Sequence, residues 1–312
     1  MEPGAQHSKV SRWFNGKGWR QVIVGTPYVW LTLFFFLPFM IVVAISLAKT
    51  APTSPPFQFK PEWPYVYLEG YQRLFTDTLY IRAYLTSVFN AGIATICCLL
   101  IGYPMALGLT RVSRTWRNFL LILVILPFWT SFLLRVYAWM GLMGSNSWFN
   151  KGLTSIYNFI MPVDWALTSI PMMNSNFAVV LVMVYSYLPF MILPLYANLE
   201  KLDMTLNEAA MDLGSRRSQV FRDITLPLSL PGIIAGGLLV FIPASGELVI
   251  PSLVGNAYDP MIGGVISDEF SSARDWPMAA AVAVALLMLL VIPMMLYTHF
   301  EARAQAGREN GT

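Results

Sequence analysis

Residues 200–227 read EKLDMTLNEAAMDLGSRRSQVFRDITLP, a polar stretch set between two apolar runs, Phe177–Leu199 and Leu228–Val254. Each run is long enough for a helix to cross a hydrocarbon core, which takes about 20 residues. The stretch between them reads as two short amphipathic helices with a sharp break. Gly214 suits the position just past a helix end, where φ is often positive. Ser215 is predicted to cap the next helix, and Pro227 to stop that helix before the chain turns into the second apolar run. Taken alone, this pattern also describes an ordinary solvated connector.

Working outward, four more runs match the two beside the loop: Val22–Leu47, Tyr84–Leu109, Asn118–Met143 and Pro277–Tyr297. Composition agrees, with 56 % hydrophobic and only 12 % charged residues and a mean hydropathy of +0.57. A soluble domain carries about 25 % charged residues. The fold expected is therefore an all-α integral membrane protein with about six transmembrane helices. Val22–Ala48 exceeds a signal-peptide core of about 7–15 residues and reads as a retained first span. Cys97 and Cys98 are adjacent in an apolar run and fit packing better than a disulfide or a metal site. Ala51–Phe59 and Gly144–Asn176 read as loops, the second with room for a short helix near Leu153–Ile160.

Orientation follows from Lys and Arg in the loops. With the N-terminus inside, one side holds Lys9, Arg12, Lys17, Arg20, Arg111, Arg114, Arg117, Lys201, Arg216, Arg217, Arg222, Arg303 and Arg308. The other holds Lys49, Lys60, Arg73, Arg82, Lys151 and Arg274, thirteen against six of the 20 basic residues. Both termini are expected to be cytoplasmic. The external loops carry Glu62, Glu69, Asp77, Asp164, Asp259, Asp268, Glu269 and Asp275, acidic groups at the outer mouth. The expected division is a tail over 1–21, a first span with its external loop over 22–79, the main transmembrane domain over 80–297, and a tail over 298–312.

Enzyme chemistry is not visible. No phosphate-binding G-x-x-x-x-G-K-[ST] loop or G-x-S-x-G elbow occurs, and His7 and His299 are too far apart in sequence for a metal-binding pair. No catalytic residue, metal ligand or nucleic-acid partner is expected. Two charges inside spans stand out, Arg135 and Glu247. Each costs about 2.5–3.5 kcal/mol at mid-helix, which makes it a functional candidate. Counted along straight helices, both fall at similar depth in the outer half. They read either as an ion pair joining two helices or as a Glu247 that faces the path of a cationic substrate. Trp129, Tyr137 and Trp139 lie near enough in sequence to add cation–π contacts.

The segment Glu208-Ala209-Ala210, three residues, Gly214, nine residues, Ile224-Thr225-Leu226-Pro227 resembles the E-A-A loop of binding-protein-dependent ABC importer permeases. The resemblance implies a type I importer permease fold in a bacterial inner membrane. It further implies that Glu208, Ala209, Ala210, Gly214, Ile224, Leu226 and Pro227 couple the chain to a separate cytoplasmic ATPase dimer. ATP and Mg would sit on that ATPase, with no cofactor on this chain. A second homologous permease and a periplasmic binding protein complete the implied assembly. The runs Leu99–Pro104, Leu126–Trp139 and Arg274–Pro277 are similar to polyamine-importer permeases. Phe241–Glu247 is nearer the putrescine type than the spermidine type. Permeases for sulfate or iron(III) are the alternative. A secondary transporter, a different class, would show inverted repeats and ion sites of its own.

Overall fold

The structure is a computed structural model that describes residues 17–61, 66–161, 167–203 and 205–309, with no side chains described at 17–21, 292–293 and 296–309. Lys9, Arg12, Glu62 and Asp164 lie outside the described residues, as does most of the expected 1–21 tail. In chain order the helices are α1 (Lys17–Leu31), α2 (Leu37–Ser46), α3 (Glu69–Thr76), α4 (Thr78–Arg111), α5 (Arg114–Ile125), α6 (Phe132–Met143), α7 (Trp148–Ile160), α8 (Asn176–Leu199), α9 (Thr205–Asp212), α10 (Arg217–Val220), α11 (Leu226–Ser245), α12 (Val249–Val254), α13 (Ile262–Ser271) and α14 (Trp276–Glu309). A two-residue ribbon, β1 (Lys49–Thr50) against β2 (Phe57–Gln58), is antiparallel and pairs Lys49 with Gln58. The sequence reading expected only loop there.

The described residues form two compact units, one within 17–74 and 269–289 and the other within 75–268 and 290–309. In the first, Val22–Ser46 is long and apolar enough to cross a membrane, and almost none of it is buried. A π turn, Thr32–Phe36, joins α1 to α2 directly before Pro38, and the Leu37 N–H reaches back five residues to Thr32 O. The wider turn makes room for a ring that has no N–H to give, so the helix continues. Asp275 organises the far end of this unit. It pairs with Arg73 at 3.1 Å, accepts from Thr50, and accepts the Met278 N–H at 3.1 Å to cap α14.

The second unit is built on α4, α8 and α11, which pack against one another. Ala91, Ala94 and Ala106 on α4 are fully buried, and such small residues let membrane helices approach closely. Cys98 is buried here and reaches Val184 O at 3.6 Å, which agrees with its reading as a packing residue. The Tyr103 hydroxyl meets Ser229 Oγ at 2.9 Å, joining α4 to α11. Helix α4 starts where Asp77 accepts the Leu79 N–H, and α8 where Ser175 accepts the Ala178 N–H.

Three expectations need correction. Asn118–Met143 is not one straight span: Arg114–Trp129 and Phe132–Met143 meet at 91°. Leu126–Trp129 tightens into a 3₁₀ turn with Pro127 in it, and Thr130 is extended (φ −94°, ψ 152°), so the helix ends and restarts in a new direction. Leu228–Val254 is also broken: α11 ends at Ser245, and α12 begins after Gly246-Glu247-Leu248. Finally, Pro227 does not stop a helix. A π turn, Phe221–Thr225, carries α10 into α11, with the Leu226 N–H bonded to Phe221 O, the same device as at Pro38. The expected helix near Leu153–Ile160 is present as the longer α7. The stretch expected as a tail, 298–312, is helical to Glu309.

Candidate functional site: coupling loop and membrane break

The loop that precedes α11 folds as two helices around Gly214. Helix α9 starts where Asp203 accepts the Thr205 N–H at 3.0 Å, and that bond holds the Asp203 carboxyl below its ordinary range. It ends in a Schellman closure: Ser215 N–H bonds to Ala210 O at 3.0 Å and Gly214 N–H to Met211 O at 2.9 Å. Gly214 has φ +89°, the left-handed region expected of it. The cap of α10 is Arg216 rather than Ser215. Ser215 instead closes α9 with its N–H, and α10 starts one residue later, with the Arg216 N–H on the Gln219 side chain at 2.8 Å.

This geometry sets one face outward. Glu208 and Ala209 are exposed, Ala210 is half-buried, and Leu213 is 88 % exposed beside exposed Leu206 and Met211. Ile224 and Leu226 are half-buried and Pro227 is exposed. The inner side of the loop is tied to the spans. Thr225 Oγ1 reaches Asn207 Oδ1 at 3.4 Å, and the Tyr103 ring meets Phe221 edge-on at 5.6 Å. These contacts link α9 to the π turn, and the π turn to α4.

The second candidate is the break after α11. Glu247 is only 8 % exposed. Its Oε1 accepts the Val249 N–H at 3.0 Å and the Ile250 N–H at 3.4 Å, capping α12. Its Oε2 accepts from the Tyr187 hydroxyl of α8. A donor to a charged acceptor contributes about 1.5–3 kcal/mol. Two good donors and one long one are thus enough to offset a burial cost of about 2.5–3.5 kcal/mol. Gly263 completes the setting, because a Cβ there would lie 2.5 Å from Gly246 O and 2.7 Å from Glu247 O.

Arg135 is elsewhere. Its guanidinium lies over the Phe128 and Phe132 rings at 5.4 and 5.5 Å. Among the described residues Nε and Nη1 are buried without a hydrogen-bond partner, and no ion pair joins Arg135 to Glu247. The 91° bend explains this, because depth counted along a straight helix no longer holds beyond Thr130. The rings expected near a substrate are scattered: Trp129 is 81 % exposed, Tyr137 is exposed, and Trp139 packs edge-on against Tyr185 at 5.5 Å. Tyr187, which does meet Glu247, was missed. The one available signal was a hydroxyl inside an apolar span, which needs a partner when buried. Several of the acids expected to be external are engaged, Glu69 by Lys49, Asp259 by Arg82 and Asp275 by Arg73.

Comparison with known proteins gives the context. A family described as "Binding-protein-dependent transport system inner membrane component" matches residues 99–306, more than half of the chain. The spermidine/putrescine transport system permease protein PotB of Haemophilus influenzae is 39 % identical over 280 residues, covering 89 % of this chain and 92 % of the relative. PotB of Escherichia coli K12 is 38 % identical over 269 residues, covering 86 % and 92 %. Among solved structures, a bacterial alginate ABC transporter in complex with its periplasmic protein superposes with a TM-score of 0.68 at 15 % identity, over 96 % of this chain and 98 % of that one. At that identity the likeness speaks for the fold alone, a helical importer permease. This chain belongs to the family of inner-membrane components of binding-protein-dependent transport systems, multi-pass permeases that leave ATP hydrolysis to a separate chain.

Proposed function

We propose that this chain is one of two permease subunits of an ABC importer for polyamines, with both termini cytoplasmic. The single observation that carries the substrate class is Glu247. It is a carboxylate held at a helix break within the membrane by a hydroxyl and two backbone N–H groups, with no basic side chain paired to it among the described residues. Such a group favours a passing ammonium and opposes sulfate. The names of the PotB relatives point the same way. Within the polyamines, the Phe241–Glu247 run favours putrescine.

The coupling loop supplies the drive. Leu213, Glu208 and Ala209 form the outward face that docks on the ATPase. Closure of two ATPases moves α9, and the Asn207–Thr225 and Tyr103–Phe221 contacts pass that motion to the spans. A binding protein delivers substrate to the opposite end. The test is ATP-dependent uptake by the assembled importer in proteoliposomes with binding protein outside. Labelled putrescine and spermidine should enter, and sulfate should not. Sulfate or iron(III) uptake without polyamine uptake would overturn the assignment.

A further inference from the structure

Helix α7 faces three environments at once. At 100° per residue, Asn150 and Thr154 point to one side, and both are buried. Asn150 Nδ2 donates to Met143 O at 3.0 Å and to Ile170 O at 2.9 Å, and its Oδ1 accepts the Ile170 N–H at 3.1 Å. Thr154 donates to the same Oδ1 at 3.1 Å. The helix is thereby fastened to the end of α6 and to the segment that leads into α8, and it cannot roll. The remaining surface divides in two. Trp148, Ile156, Phe159 and Ile160 fall within one third of a turn, with Trp148 77 % and Phe159 91 % exposed. Lys151 and Ser155, also exposed, fall on the other flank.

We infer that α7 lies in the membrane interface, with the Trp148–Ile160 strip in the acyl boundary and the Lys151–Ser155 flank in water. The occupant of the apolar strip is the lipid leaflet at the end of the bundle opposite the coupling loop. Three observations on the helix and its neighbours favour lipid over a protein partner. The span segments before and after α7 also expose large apolar side chains, Leu133 and Leu134 on α6 and Phe177 at the start of α8. The exposed half splits into an apolar and a polar flank, the pattern of a helix at a water–lipid boundary. An aromatic, Trp148, stands at the end of the strip, as at membrane interfaces generally. Because Asn150 ties α7 to Met143 O, the lipid contact also fixes the height of the broken third span beyond Thr130.

The test uses the complete importer in nanodiscs. Nitroxides are placed by Ile156→Cys, Phe159→Cys, Lys151→Cys and Ser155→Cys, one at a time, in a background carrying Cys97→Ala and Cys98→Ala. Oxygen should reach 156 and 159 several-fold better, relative to a water-soluble nickel chelate, than it reaches 151 and 155. Equal access of the chelate to all four positions would place the strip in water and overturn the inference. Exclusion of both reagents from 156 and 159 would show a protein cover, the second permease or the binding protein, and would overturn it equally. A second reading needs no cysteine: brominated lipids should quench wild-type tryptophan emission more than that of Trp148→Phe. Equal quenching would also contradict the lipid contact.

Discussion

The Tyr187 hydroxyl of α8 donates to the Glu247 carboxylate at the break between α11 and α12, so two core elements of the membrane domain meet at one buried charge. Tyr187→Phe removes that donor and leaves the ring. Uptake is expected to fall while the permease still inserts and assembles with its ATPase, as checked by copurification. Unchanged uptake would show that the contact has no role in transport.

The separation of Arg135 from Glu247 gives a second test. Were they an ion pair, Glu247→Gln would strand Arg135 and destabilise the protein, and Arg135→Leu would rescue it. With Arg135 over Phe128 and Phe132 instead, the double variant should transport no better than Glu247→Gln alone. Expression and uptake of both single variants and the double decide the matter, and rescue in the double would restore the ion pair.

Much of this was legible in the sequence. Each of the six apolar runs is mostly helical, two of them with a break, and Gly214 has the positive φ that its place after α9 demands. The breaks were not legible, for a physical reason. A proline in an apolar run is compatible with a continued helix or a broken one, depending on what accommodates the ring. At Pro38 and Pro227 a π turn does so and the helix goes on, whereas at Pro127 a 3₁₀ turn and an extended Thr130 end it. Once the third span bends, sequence distance no longer measures depth. That is why a count along straight helices puts Arg135 level with Glu247, whereas the structure sets Arg135 over Phe128 and Phe132.

Gly214→Leu places a branched side chain at φ +89°. Left-handed backbone costs an ordinary residue about 1–2 kcal/mol, enough to disrupt the Schellman closure without unfolding the spans. Transport should drop with membrane insertion retained. Glu208→Lys, on the exposed face of α9, should weaken ATPase association. Wild-type transport in both variants would refute the coupling role.

The Asp203 carboxyl is held below its ordinary range by the Thr205 N–H. A depressed carboxylate contributes stability above its unfolded pKa and loses it as pH falls through the folded value. Amide protection across Thr205–Asp212, the exchange rate taken relative to the intrinsic rate at each pH, should therefore fall in acid. Asp203→Ala should show the lower protection already at neutral pH and lose most of its pH dependence. Identical exchange profiles in the two proteins would remove Asp203 as the cap.

Sidedness can be read at Ser218, exposed on α10. With the coupling loop cytoplasmic, Ser218→Cys should resist a membrane-impermeant thiol reagent in intact cells and react after lysis. Labelling in intact cells would invert the topology.

The most direct measurement of the central claim is binding-protein-dependent uptake of labelled putrescine and spermidine by wild type and Glu247→Gln, with ATPase association followed in the same preparations. The expected result is strong polyamine uptake by wild type and a large loss in Glu247→Gln, with the ATPase still bound. Polyamine uptake at the wild-type rate in Glu247→Gln would contradict a role for this carboxylate in recognising the cation.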